Sequence, residues 1–388
     1  MKNQTVAISA CRRYDAKLIK EALLKTIEGI GGLEPYLEKG KTVLLKINLI
    51  LGKAPDRHAT THPAFVEALA QILTEYGMQV ILGDSPGGPF NAAALRHVYK
   101  ATGMTEMAER CGIRLNENTG SIEVENPNGK FMKRLTMTAM LQDADYVISV
   151  CKLKTHSMMT YTGAAKNLFG TVPGTVKADY HVRMPDAMDF ADALVDICEA
   201  ADPVLSFMDA IVGMEGNGPT AGTPRPIGAV LASPNPYALD TVASGIIGLK
   251  PEQIPLLKQA MARGLLDPAR VQTAGEDPQT FFIADYKMPD HIESDLYRMK
   301  LPSWLATPLT KLTRAKVRFD PKACVGCGIC RDNCPAEVIT MRESDTYKGR
   351  RPQVDYKKCI RCFCCQELCP QEAVTVQESF IYRIANKL

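Results

Sequence analysis

The sequence predicts an α/β body built around a largely parallel sheet, followed by a small α+β module at the C-terminus. Three observations carry that expectation. Short runs rich in Val, Leu and Ile alternate with segments of helical periodicity between residues 4 and 248. Polar, glycine-rich stretches follow those apolar runs, where open α/β sheets hold ligands. The last part of the chain carries two cysteine runs of the same spacing. We place the boundaries at 1–286 for the body, 287–316 for a packed linker, and 317–388 for the module.

Taken in order, residues 4–10 and 42–48 read as buried strands, with a helix at 16–30 that stops at Gly31 and Gly32. Pro63 is a good first helical residue for a helix running to Gly77. A strand at 79–82 opens onto the polar turn 83–88, and helices follow at 91–99 and 105–110. Asn126, Pro127, Asn128 and Gly129 spell a hairpin turn. Residues 145–150 form a buried strand, 186–201 a helix, 204–208 and 228–231 strands, and 237–248 a helix. The segment 287–316, with three prolines and Trp304, is irregular.

The cysteines set the chemistry of the module. Cys324, Cys327, Cys330 and Cys334 precede Pro335, and Cys359, Cys362, Cys365 and Cys369 precede Pro370. Each half reads C-x₂-C-x₂-C-x₃-C-P, the run that holds two 4Fe–4S clusters in bacterial ferredoxins, the fourth cysteine of each run serving the other cluster. That rule assigns Cys324, Cys327, Cys330 and Cys369 to one cluster, and Cys359, Cys362, Cys365 and Cys334 to the second. Asp320, Lys322, Glu337 and Thr340 recur as Asp355, Lys357, Glu372 and Thr375, an internal repeat at an offset of 35 residues. Zinc motifs usually pair a C-x₂-C with a distant one or with histidines, and disulfides need an oxidising compartment. Cys364 is an alternative ligand, but the repeat register favours Cys365.

Bulk properties exclude other classes. A net charge of +3 is too small to argue for nucleic acid or anionic lipid. No apolar run has the length of a membrane span, and the first residues lack a signal-peptide apolar region. A cytoplasmic, reducing and anaerobic setting is expected. No G-x-G-x-x-G lies in a strand–turn–helix context, so NAD has no support. The oligomeric state is not encoded.

The densest polar stretch outside the cysteines is 152–181. It offers Lys152, Lys154, Thr155, His156, Thr162, Gly163, Lys166, Asn167, Lys177 and His181 after a buried strand. Lysines and backbone N–H groups suit an anionic ligand. Lys46 and Asn48 at the end of an earlier strand, the cap at Thr60–Pro63, the turn 83–88, and a glycine-rich loop with Glu215 and Asn217 are expected to join it. Lys166, His156 and His181 are the candidate catalytic groups, to position an acceptor and supply protons.

Several of these residues carry a resemblance. The segments 152–156, 162–167, 169–170, 173–174 and 213–222 resemble the uncharacterised domain-of-unknown-function family 362, whose members often carry a C-terminal double-cluster ferredoxin. Asn235 stands where that family has an aspartate; Asp240 is present. More distantly, the order His156, Gly163, Lys166, Pro173-Gly174, His181 is similar to the active-site stretch of nickel-pincer lactate racemases. That likeness implies Lys166 as a cofactor-contacting residue and His156 and His181 as ligands or proton carriers. The racemase Gly-Gly-x-Lys is here Gly163-Ala164-Ala165-Lys166.

Three functions are therefore expected in order of preference. The first is an iron–sulfur oxidoreductase moving low-potential electrons between two 4Fe–4S clusters and an anionic substrate or further ligand on the body. The second is a plain electron carrier whose body docks a redox partner protein. The third is a racemase-like enzyme with a bound metal or nickel-pincer cofactor.

Overall fold

A computed structural model describes residues 2–289, 315–344 and 349–377. Most of the expected linker, including Trp304, lies outside the described residues. No helix among them is long and apolar enough to cross a membrane.

The body begins with β1 (Thr5–Ala10), α1 (Ala16–Gly29) and β2 (Thr42–Ile47). Asp15 caps α1, its carboxylate accepting from the N–H groups of Lys17 and Leu18. Then come α2 (Pro63–Tyr76), β3 (Gln79–Gly83), α3 (Ala92–Ala101), α4 (Met104–Cys111) and β4 (Arg114–Leu115). The hairpin β5 (Ser121–Glu125) and β6 (Arg134–Thr138) turns at the expected place, with Gly129 N–H donating to the Asn126 carbonyl. The long β7 (Tyr146–His156), β8 (Thr160–Thr162), α5 (Ala164–Asn167), α6 (Gly174–Arg183) and α7 (Ala187–Ala201) follow. β9 (Leu205–Glu215), β10 (Thr223–Ser233), α8 (Pro236–Ile246), α9 (Pro255–Ala262) and β11 (Gln272–Gly275) complete the body. Asn235, at the position where an aspartate was expected, caps α8 through Oδ1.

The main sheet runs β11-β1-β10-β9-β7-β2-β3-β4, with β8 beside β7. It is parallel except where β10 pairs with β1 and β9, and β8 with β7. β9 and β10 are longer than expected because Gly213, Pro224 and Pro226 look like breakers in the sequence. The structure keeps them in the ladder, with an irregularity after Pro226.

Alternation of side chains sends Val43, Leu45, Ile148 and Val150 to one face of the sheet, under α1 and α2. Leu44, Val147, Cys151 and Leu153 go to the other, under α7, α8 and α9. The second core continues into the C-terminal module through Val317, Val338, Phe363 and Val374. In that module β12 (Lys316–Phe319) pairs with β15 (Val374–Gln377), and β13 (Ile339–Glu343) with β14 (Arg350–Val354). Short helical turns at Ile329–Asp332 and Cys364–Glu367 bracket the cysteine loops.

Candidate functional site

β2 and β7 are neighbours, yet the helices after them leave on opposite faces, α2 into the first core and α7 into the second. The chain therefore diverges at the carboxyl ends of these strands, where open α/β sheets form ligand crevices. A cavity of about 120 Å³ lies there.

Four lysines reach it: Lys46 from β2, Lys154 from β7, Lys166 from α5 and Lys177 from α6. Lys46 is fully buried and pairs with Asp84 at 2.8 Å, just past β3. Its ammonium also donates to Asn167 Oδ1 and the Ile47 carbonyl. Asn167 in turn donates to the Lys46 carbonyl and to Ser149, which fixes α5 against the strand end. Gly170 is required beside this pair, because a Cβ would stand 2.1 Å from Asp84 Oδ1 and 2.4 Å from Lys46 Nζ. Lys154 donates to Asn48 Oδ1 at 2.6 Å and to the Ala59 carbonyl at 2.8 Å. Lys177 donates to the Ser85 carbonyl and stands over the Phe169 ring. Lys166 has that ring as its neighbour and no hydrogen bond or ion pair among the described residues. Burial, then the neighbouring cations, pushes Lys154 down to about 7. Burial and the charges of Lys46 and Lys166 outweigh Asp84 at Lys177 and hold it at about 7 too.

Two histidines face the same space. His156 Nδ1 accepts the N–H groups of Met158 and Met159, so the neutral ring carries its proton on Nε2. Burial, then the charges of Lys166, His181 and Lys154, keeps that ring neutral, far below the usual histidine range. Nε2 lies 3.2 Å from Glu367 Oε1, but neither atom has an aligned hydrogen-bond partner. His181 stacks on Phe190, with Nδ1 buried and unpartnered. Burial and then Lys166 lower it to about 3.

The C-terminal module closes the cavity with Asn333, Cys364, Glu367 and Leu368. Gln366 accepts from Ser157 at 3.0 Å and donates to the Asn217 carbonyl. Thr220 donates to the Glu367 carbonyl, and Glu372 pairs with Lys53 and Arg57. Sequence reasoning missed Asn333, Gln366, Glu367 and Leu368, since partners some 200 positions apart, as Ser157 and Gln366 are, leave no local pattern.

The module itself contains two further voids. One is lined by Cys334, Cys359, Cys362 and Cys365, the other by Cys324, Cys327, Cys330 and Cys369. Each groups three cysteines of one run with the fourth of the other, a donor set suited to a 4Fe–4S cluster. Cys364 faces the ligand cavity, and Cys365 faces the void.

Of the expected ligand residues, Lys46, Asn48, Lys154, His156, Thr162, Lys166, Asn167, Lys177 and His181 line the cavity, as do Asp84, Ser85, Gly87 and Gly88 of the turn 83–88. Others do not. Lys152 is locked to Asp209 at 2.9 Å and to Tyr14, beneath the stacked Tyr14 and His62 rings. Thr155 donates to the carbonyls of Met214 and Gly216. Gly163 packs tightly against Asp240 and Tyr161. Glu215 lies near Arg225 and Lys287 and accepts from the Lys287 N–H. Asn217 contributes its carbonyl to Gln366. The cap at His62 closes α2 on itself through Nδ1.

Comparison with known proteins places the body. The model of the family described as "Domain of unknown function (DUF362)" matches residues 43–245. A thylakoid-associated protein, sll1697, of Synechocystis is 35% identical over 289 residues, covering 74% of this chain and 88% of that one. The chain belongs to the DUF362 family. A 4Fe-4S dicluster domain matches residues 323–373, giving this DUF362 protein the capacity for iron–sulfur electron transfer. The lactate racemase apoprotein of Thermoanaerobacterium thermosaccharolyticum aligns at a TM-score of 0.39 and 13% identity, covering 63% of this chain and 57% of that chain.

Proposed function

We propose that this chain is an iron–sulfur oxidoreductase that exchanges low-potential electrons between two 4Fe–4S clusters and a small ligand held at the ends of β2 and β7. The observation that carries this reading is the shared wall. The turn Cys364–Glu367 contributes Cys364 and Glu367 to the ligand cavity, while Cys362 and Cys365 beside them line a cluster void. When bound, the clusters supply one-electron transfer.

The protein's own groups do the rest. Lys154, Lys166 and Lys177 hold and orient the ligand, and Leu368 and Phe169 help to shut out water. His156 presents an Nε2 proton to the cavity, fixed there by the two backbone N–H groups on Nδ1. His181 presents an unpartnered Nδ1, a second station for a proton. The first cysteine loop, with Cys327 exposed, is where a redox partner protein would exchange electrons.

Native mass spectrometry of anaerobically purified protein tests the reading. A retained small molecule, lost in Lys166→Ala together with a change in the paramagnetic signal of one cluster, is the expected result. Protein that retains nothing and binds an acidic partner in a salt-dependent way would instead be a plain electron carrier.

A further inference from the structure

The charges around the cavity identify its ligand more narrowly. Lys46 is neutralised by Asp84. Among the described residues Lys154, Lys166 and Lys177 face one further carboxylate on this wall, Glu367. The formal surplus is therefore two positive charges when all three ammoniums are protonated, and it falls as Lys154 and Lys177 titrate near pH 7. Lys154 gives two of its three donors and Lys177 one of its three to neutral oxygens, and Lys166 has no acceptor among the described residues. Two nine-tenths-buried rings add unpartnered atoms, His156 Nε2 and His181 Nδ1. The helix α6 begins at Gly174 on the cavity wall with no side-chain cap, the N–H groups of Val176 and Lys177 bonding the Pro173 carbonyl. The space of about 120 Å³ has room for about eight water-sized groups at roughly 15 Å³ each.

We infer that the cavity binds a small dianion, a dicarboxylate or a phosphate-like oxyanion, whose charges are met by Lys154, Lys166 and Lys177. This rests on the ligand-binding part of the function proposed above and narrows its substrate class. The dianion supplies the acceptor that Lys166 lacks and balances the surplus charge of the wall. Charge-assisted bonds are about twice as strong as neutral ones, and a dianion sets two negative charges against these ammoniums where a monoanion sets one.

Calorimetric titration of the cluster-loaded protein at pH 7 and constant ionic strength tests this, with malonate, sulfate and acetate as probes. Heat rather than melting temperature is read because sulfate stabilises proteins non-specifically. Saturable binding of malonate or sulfate, at least about tenfold tighter than acetate, is expected. Malonate alone points to a dicarboxylate and sulfate alone to a phosphate-like group. Lys166→Met should weaken the binding about tenfold or more. That side chain makes no hydrogen bond among the described residues, and retained cluster absorbance would show an intact fold. Acetate binding as tightly as the dianions, or no saturable heat from any probe, overturns the inference. Dianion binding that leaves both cluster potentials unmoved would keep the inference and remove the redox reading, so the two fail separately.

Discussion

The two cysteine loops of the module are copies in sequence and opposites in setting. The first exposes Cys327, Val325, Arg331 and Asp332. The second buries Cys362, Phe363, Cys364, Cys365 and Gln366 against the body. Their backbones agree: Gly326 and Gly328 have φ of 74° and 81°, and their counterparts Arg361 and Phe363 both have φ of 60°. A left-handed non-glycine residue costs about 1–2 kcal/mol. The second loop bears that cost because both side chains are used, Phe363 in the core and Arg361 on the Ala315 carbonyl. Ile329 is likewise replaced by Cys364, Arg331 by Gln366 and Asp332 by Glu367, all directed at the body. The two cysteine loops share spacing and backbone, and the second carries the side chains that meet the body.

The largest expected effect breaks the pair directly. Cys365→Ala should drop iron from about eight to about four per chain, whereas Cys364→Ala should keep all of it, measured by metal analysis after anaerobic purification. Equal losses would mean that Cys364 is the ligand. Next in size, Phe363→Ala should cost about 3–5 kcal/mol in denaturant unfolding, against well under 1 for Ile329→Ala relative to its own partly exposed site. A similar cost at both positions would contradict the asymmetry.

A subtler effect sharpens it. Binding of malonate should weaken as pH rises above about 7, because Lys154 and Lys177 lose their protons there and only the charged forms attract the anion. The other charged groups facing them are Lys46, Lys166, Asp84, Glu367 and the neutral rings of His156 and His181. Affinity that is flat between pH 6 and pH 8, about a unit either side of that midpoint, would contradict the role of both lysines.

The smallest effect concerns Glu372, which opposes the cost of its burial by bonding Lys53 and Arg57 and so titrates below the usual glutamate range. Its depressed value adds stability above the ordinary glutamate pKa, and that stability is lost as pH falls through the lowered one. Glu372→Gln should cost only about 0.2–1 kcal/mol, less at high salt, since the pair is partly exposed.

The sequence made the module legible because cluster ligation fixes spacing, and the 35-residue repeat marks both loops. It also made the strands of the body's first half legible, since β1, β2, β3 and β7 are apolar runs, but not their order in the sheet. The cavity was legible at the carboxyl end of a strand, as at Lys154 and His156, although β7 runs through both of them where a loop after residue 150 was expected. It failed two residues away at Lys152, because period-two alternation places both lysines on one face and says nothing of Asp209 on β9. The lid formed by Cys364, Glu367 and Leu368 was out of reach of any local pattern. Nothing near residue 367 announces that it will meet His156.

The measurement that bears most directly on the account is a redox titration of the anaerobic protein followed by paramagnetic resonance, with and without saturating malonate. A negative ligand beside the second loop should disfavour reduction there. One cluster should fall in potential by about 59 mV for each tenfold difference in affinity between its two redox states, while the solvent-facing one holds still. Two potentials that stay put, or that move together by the same amount, would contradict it.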